Sequence, residues 1–251
     1  MNHSSPFRSA LVRAPKIIKG TAAATLIFSF FALFSNALFT KIFNFPSPQY
    51  LFSLTTWGVH KFFAWQFVSY LFIQPISEGV SLGSILRLLF DLYLLYMVGT
   101  AIIETRGKKH FIGLYFGGAL FVGIVAYLSL LFSGSPFPFA GASPAIYILL
   151  ISFVFLTPHA RIMLFLMVPM QAKWLVFGLI GVNLFLDFSN GHFLSFFTTG
   201  AALVYGYLYP ILVWEILSPF YRLHNIEKKM IYWKRKVSNH LSKSSLTLRE
   251  K

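Results

Sequence analysis

Residues 82–103 read LGSILRLLFDLYLLYMVGTAII, and within that run only Arg87 and Asp91 carry charge. A helix needs roughly 20 apolar residues to cross a hydrocarbon core of ~30 Å, so the stretch is read as a membrane-spanning helix. Arg87 and Asp91 stand four residues apart, one helical turn, and share a face. Each charge costs roughly 2.5–3.5 kcal/mol at the centre of a span on insertion scales. The pair is therefore expected to point into a helix bundle and neutralise itself. A functional polar site at the same place is the alternative.

Working outward, five further apolar runs fall at 21–39, 111–132, 142–157, 174–186 and 193–217. Together they give an all-α, polytopic fold, a six-helix membrane domain over 21–218. It is preceded by a basic segment, 1–20, and followed by a basic tail, 219–251. The fourth and fifth runs are short, so packing or tilt has to accommodate them. The composition agrees: 57% of the 251 residues are hydrophobic, only 11% are charged, and mean hydropathy is +0.69. A soluble domain carries about 25% charged residues, which excludes soluble enzymes and soluble nucleic-acid binders. The absence of cysteine excludes disulfides and thiolate metal sites. The histidines show no metal-ligand spacing, so neither a metal nor another cofactor is expected.

The net charge of +14 is a topology signal. Lys and Arg accumulate on the cytoplasmic side of membrane proteins. With six spans, 18 of the 21 basic residues fall on one side: Arg8, Arg13, Lys16 and Lys19 before the first run, the loop with Arg106, Lys108 and Lys109, Arg161 and Lys173 around the fourth connection, and nine in the tail. Both termini are expected to be cytoplasmic, with the first run a retained anchor and a bacterial inner membrane as host. The outer connection 40–81, rich in Trp and Phe, reads as an interfacial hairpin. In the tail, Ile226, Met230, Trp233, Val237 and Leu241 recur at helical spacing between lysines. That pattern suits an amphipathic helix on anionic lipid or, equally, a solvated tail.

A second polar point is Gly141-Ala142-Ser143-Pro144, after a Pro/Gly-rich loop. Ser at an N-cap followed by Pro is an ordinary helix start. Ser at the outer mouth of a span is also a candidate nucleophile if a base lies within reach.

Taken in order, several motifs resemble the rhomboid superfamily of intramembrane serine proteases. Trp65-Gln66-Phe67-Val68-Ser69-Tyr70-Leu71-Phe72 looks like the family's W-Q-x-x-T-Y-x-F. Arg87-Leu88-Leu89-Phe90-Asp91 stands where the family has H-x-x-F-N, followed by Gly99 and Glu104. Gly141-Ala142-Ser143 matches G-x-S, Pro158-His159, Pro169 and Ala172-Lys173-Trp174 follow, and Ala202-Leu203-Val204-Tyr205-Gly206 resembles the sixth helix. The resemblance covers about 55–210.

It implies the following roles. Ser143 takes the nucleophile position. The general base, a His in the family, falls on Thr199 when the sixth helix is aligned on Gly206, or on Ser195 when His192 is the anchor. Arg87 and Asp91 replace the His and Asn that donate to the oxyanion, Gln74 stands at an upstream His, and Pro144 replaces a Gly and removes a backbone N–H. Without a base, Ser143 stays a weak nucleophile. An ionised Asp91 accepts rather than donates, and repels an oxyanion. The expectation is a non-catalytic pseudoprotease whose partners are membrane lipids and the transmembrane helices of client proteins. The alternative is an active intramembrane serine endopeptidase using Ser143 with His192 as base. A transport path through Arg87 and Asp91 is weaker, since no broken helices recur in repeated halves.

Overall fold

The computed structural model describes residues 15–41, 47–74, 82–133, 138–158, 161–164 and 168–247. Arg8, Arg13 and His159 lie outside the described residues. Each apolar run falls in a helix: α1 (Lys16–Lys41), then three short turns α2 (Pro48–Phe52), α3 (Thr56–His60) and α4 (Gln66–Ser69), then α5 (Leu82–Arg106). Next comes α6, which starts as Lys108–Ile112, widens into a π-helical turn at Gly113–Gly117 and continues as Gly118–Ser133. The remaining helices are α7 (Ser143–Leu156), α8 (Ala172–Ser189), α9 (Phe193–Tyr209 with a π-helical end, Pro210–Trp214) and α10 (His224–Thr247). Four of them are long and apolar enough to cross a membrane: Leu82–Arg106, Lys108–Phe132, Ala172–Ser189 and Phe193–Trp214.

The all-α class is accompanied by one short addition: Arg161–Leu164 (β1) and Val168–Gln171 (β2), at either end of the apolar stretch 164–169 that is too short to cross, pair as the antiparallel strands of a hairpin, with Ile162 opposite Met170. The helical class otherwise holds.

α7 is the centre of the bundle. All its residues from Ser143 to Phe155 are buried, which suits a helix that is apolar on every face. At 14 residues it is about 21 Å long, and neighbours on all sides remove the need to match the bilayer. α9 packs on it most closely. A Cβ on Gly206 would meet the Ile148 Cα and carbonyl oxygen at 3.1 Å, so only glycine admits this approach. There the Ser152 hydroxyl donates to the Gly206 carbonyl at 3.3 Å. α6 meets the other face of α9, where Tyr205 donates to the Gly113 carbonyl at 2.9 Å. α1 presents Thr21, Thr25 and Ser29 to the bundle, all buried. Thr21 and Thr25 return their hydroxyl protons to carbonyls of the preceding turn, while Ser29 donates to the Phe72 carbonyl. No hydroxyl of that stripe is left unpaired, as a water-free interior requires.

The connection between α1 and α5 is organised by Gln66, which is fully buried. Its Oε1 accepts from the Thr55 N–H at 3.2 Å, and its Nε2 donates to the carbonyls of Tyr50 and Leu51. Its amide fills the space a Cβ on Gly58 would need, 2.1 Å away. Trp57, Phe63 and Trp65 form an aromatic cluster beside it. The Leu54–Phe139 bridge and the Tyr70 carbonyl, accepting from the Gly141 N–H at 2.9 Å, tie this connection to the strand entering α7.

The tail is docked rather than free over its first three turns. Glu227, 1% exposed, accepts hydrogen bonds from the Tyr207 hydroxyl and, at 3.0 Å, from the Ser218 N–H. Farther along, Arg235 and Lys234 pair with Glu215. Tyr207 and Glu227 are separated by 20 residues, as are Glu215 and Arg235. A constant offset means that α10 runs alongside the end of α9 in the same direction. Glu215 itself has φ +55°, the left-handed conformation that stops α9.

Gly206→Ala is expected to destabilise the bundle by about 1–3 kcal/mol, because backbone must move. Gly200, on the same helix with open space at its Cβ, is the control: Gly200→Ala should be neutral or stabilising, by up to ~1 kcal/mol. Thermal unfolding in detergent compares the two.

Candidate functional site

The polar residues singled out in the sequence converge at the start of α7. The turn into it is set by Gly141, whose φ of +117° suits glycine alone. Ala142 precedes the first turn, so Ser143 is the first helical residue rather than the N-cap, and its side chain makes no cap bond. Its hydroxyl is free to face α5. The Ser143 Oγ–H donates to Asp91 Oδ2 at 3.0 Å, and Arg87 Nη2 donates to Ser143 Oγ at 3.1 Å.

This corrects the expected ion pair. No direct Arg87–Asp91 salt bridge forms; the described ion pairs join α10 to Glu215 at the end of α9. Ser143 stands between the two charges and links them. The reason is geometric: side chains one turn apart on α5 both lean toward α7, and the short Ser143 fits the space between their heads. Asp91 is 6% exposed, whereas the Arg87 residue is exposed. The carboxylate lies at the start of α7, where unsatisfied N–H groups and the helix dipole favour negative charge. Gln74 is buried beside the same carboxylate, its amide nitrogen short of hydrogen-bond geometry.

Around this core stand residues the sequence did not flag. Tyr147, one turn below Ser143, interacts electrostatically with Arg87, Asp91 and Asp187. Asp187 on α8 interacts with Arg87 and with His192. The signal for Asp187 was a lone carboxylate at the end of an apolar run, unremarkable until the fold sets α8 opposite α5.

The base positions are placed by α9. His192 precedes the helix and is exposed, its N–H donating to the Asp187 carbonyl at 2.8 Å. The Ser195 carbonyl accepts from the Thr198 hydroxyl at 3.0 Å, in the first turn of α9. Thr199 is buried, 5% exposed. It lies seven residues before Gly206, two turns, and hence on the same α7-facing side about 10 Å nearer the helix start. Ser143 lies five residues before Ile148, the residue Gly206 touches, about 8 Å nearer the start of α7. With α8 turning back between them, α7 and α9 run in the same direction, so Thr199 stands near the level of Ser143. His192 lies about 10 Å beyond Thr199 toward the helix start.

Among the described residues, no three His, Asp or Glu side chains cluster to hold a metal. The arrangement is a hydroxyl held at both ends: its proton goes to a carboxylate, and its oxygen receives a guanidinium N–H. Beside it, α5 and α8 each turn apolar side chains outward. The contacts of α5 run to α1, α7 and the start of α6, those of α8 to α7, α9 and the hairpin. Leu86 and Leu89 on one side and Phe185 and Phe188 on the other are half or more exposed.

Ser143→Ala removes a donor from buried Asp91 and an acceptor from Arg87. It is expected to cost about 1–3 kcal/mol. Ser143→Ala combined with Asp91→Ala should cost less than the sum of the single changes, since the pair shares one bond. Equal additive losses in detergent unfolding would contradict the bridge.

The Rhomboid domain family model matches residues 61–216, which holds α5 to α9, Ser143 and both charged residues. No curated protein matches the chain at a significant level. The matched segment covers more than half of the sequence and carries the four long apolar helices. This chain is an integral membrane protein of the rhomboid family.

Proposed function

We propose that this rhomboid-family protein is a non-catalytic member that binds transmembrane segments of client membrane proteins in the groove between α5 and α8. The observation that carries the reading is the fate of the Ser143 hydroxyl. Its proton is given to Asp91, and its oxygen accepts from Arg87. A serine nucleophile needs a base to take its proton as it attacks. Thr199 or Ser195, the candidates for the base position, offers a hydroxyl that cannot hold a proton as imidazole does. Asp91 puts negative charge where an oxyanion would develop, and loss of a single oxyanion donor already costs about 10²–10³ in rate. Pro144 supplies no N–H in the first turn of α7.

The exposed groove faces support client binding. Leu86 at 52% and Phe185 at 70% exposure present apolar surface on either side of a buried polar cluster. A client helix bearing a hydroxyl or amide can satisfy the unused donors of Arg87 there, since interhelical hydrogen bonds hold membrane helices together. In this reading α1 and α7 complete six spans and both termini lie in the cytoplasm of a bacterial cell. α1, 26 residues long, is long enough to cross.

The alternative is a serine endopeptidase in which His192 activates Ser143. Fluorophosphonate labelling of the purified protein separates the two. The wild type and Ser143→Ala are expected to remain equally unlabelled; labelling of the wild type that disappears in Ser143→Ala would establish the enzyme. In membranes, a photo-crosslinking residue at Leu86 or Phe185 should capture transmembrane segments of other proteins. The same residue at Leu128, exposed on α6, should not. Equal capture at all three positions would contradict the groove.

A further inference from the structure

A second cavity lies away from Ser143, at the opposite end of α7. It is a cleft of about 460 Å³ between α7, α8 and α9, lined by Ile151, Phe155, Phe177, Ile180, Leu203 and Tyr207. Its size falls in the roughly 300–1,000 Å³ range of small-molecule sites. Pro219, Phe220 and Leu223 cover it where the chain turns from α9 into α10. We propose that this cleft holds an acyl chain of an anionic phospholipid, with the headgroup against Lys173 and Arg222.

Three observations support this occupant. The lining is apolar throughout, and its one hydroxyl, on Tyr207, is already bonded to Glu227. A polar ligand would find nothing to bond, whereas a hydrocarbon chain loses nothing by entering. Second, the charge at the rim is basic. Lys173 stands one turn before Phe177 and beside the exposed Trp174, and Arg222, exposed, adjoins Leu223. The nearby carboxylate, Glu227, is buried and occupied by Tyr207 and Ser218. A phosphate beside the cleft is offered Lys173 and Arg222, the arrangement by which basic residues select anionic lipid. Third, the cover is fixed in place. Ser218, immediately before Pro219, is held through its N–H by Glu227, and His224 Nε2 lies 2.8 Å from the Ser218 carbonyl. The docked start of α10 thus keeps the cleft open beneath it instead of letting α8 collapse onto α9.

Gly181 supplies the test. It lines the cleft, and a Cβ built on it meets nothing within 4 Å. Gly181→Leu fills the space without a backbone clash, and leucine favours the helix over glycine. Gly178, three residues earlier on α8, has equally open surroundings and does not line the cleft, so Gly178→Leu is the matched control. The full chain is delipidated in detergent, supplied with dioleoylphosphatidylglycerol or dioleoylphosphatidylcholine, and weighed by native mass spectrometry. The wild type and Gly178→Leu are expected to retain one phosphatidylglycerol per chain. Gly181→Leu, with unchanged thermal unfolding, should lose affinity by about tenfold or more. Lys173→Ala combined with Arg222→Ala should bring phosphatidylglycerol down to the level of phosphatidylcholine. Retention by Gly181→Leu equal to the wild type would overturn the acyl-chain site. Equal binding of the two lipids by the wild type would overturn the anionic headgroup. Neither result bears on Ser143, so the proposal stands or falls apart from the pseudoprotease reading.

Discussion

The bundle depends on a helix that cannot cross the membrane alone. α7 is about 21 Å long against a hydrocarbon core of ~30 Å, and it is stable there because protein surrounds it on every side. That requires neighbours to approach closely, and Gly206 permits it where α9 lies on Ile148. Between membrane helices there is no hydrophobic driving force, so close packing and hydrogen bonds supply the cohesion. Ser152 to Gly206 and Tyr205 to Gly113 are such bonds, each beside a glycine. Ser143 and Asp91 are buried at the start of α7.

The same constraint shapes the polar cluster. In hydrocarbon, a polar group left unpaired costs several kcal/mol, so each must find its partner inside the protein. Arg87 and Asp91 do so through Ser143 rather than directly, which places three polar side chains at the cost of one shared hydroxyl. The arrangement makes Ser143 a structural crosspiece between α5 and α7. A hydroxyl in that position ties α5 to α7 through both its proton and its oxygen.

Much of this architecture was legible from residue order. The apolar runs mark the helices, because a span must be continuous and long, and scarcity of charge makes Arg87 and Asp91 conspicuous. That they share a face follows from four-residue spacing. That Ser143 separates them does not, since it depends on how α5 and α7 meet across 52 residues of chain. The paired strands Arg161–Leu164 and Val168–Gln171 escaped because short apolar runs have no distinctive period. Glu227 escaped for a different reason. In a tail with nine basic residues a glutamate reads as surface, and its burial depends on Tyr207, 20 residues earlier, which the tail's own periodicity does not encode.

The substitutions around Ser143 are best understood together. A catalytic site holds groups in states that favour reaction over stability, with an activated hydroxyl and donors awaiting a charge that is not yet there. Each departure here moves the other way. Asp91 places a carboxylate at the start of a helix, where the dipole favours it. Pro144 fits an early helical position, where its missing N–H has no intrahelical partner to lose. Arg87 supplies a counter-charge, and Thr199 is a small hydroxyl in a packed interface. Together they surround a hydroxyl that is bonded through both its proton and its oxygen. Once Ser143 is bonded at both ends, an arginine, an aspartate and a proline in these positions stabilise the bundle.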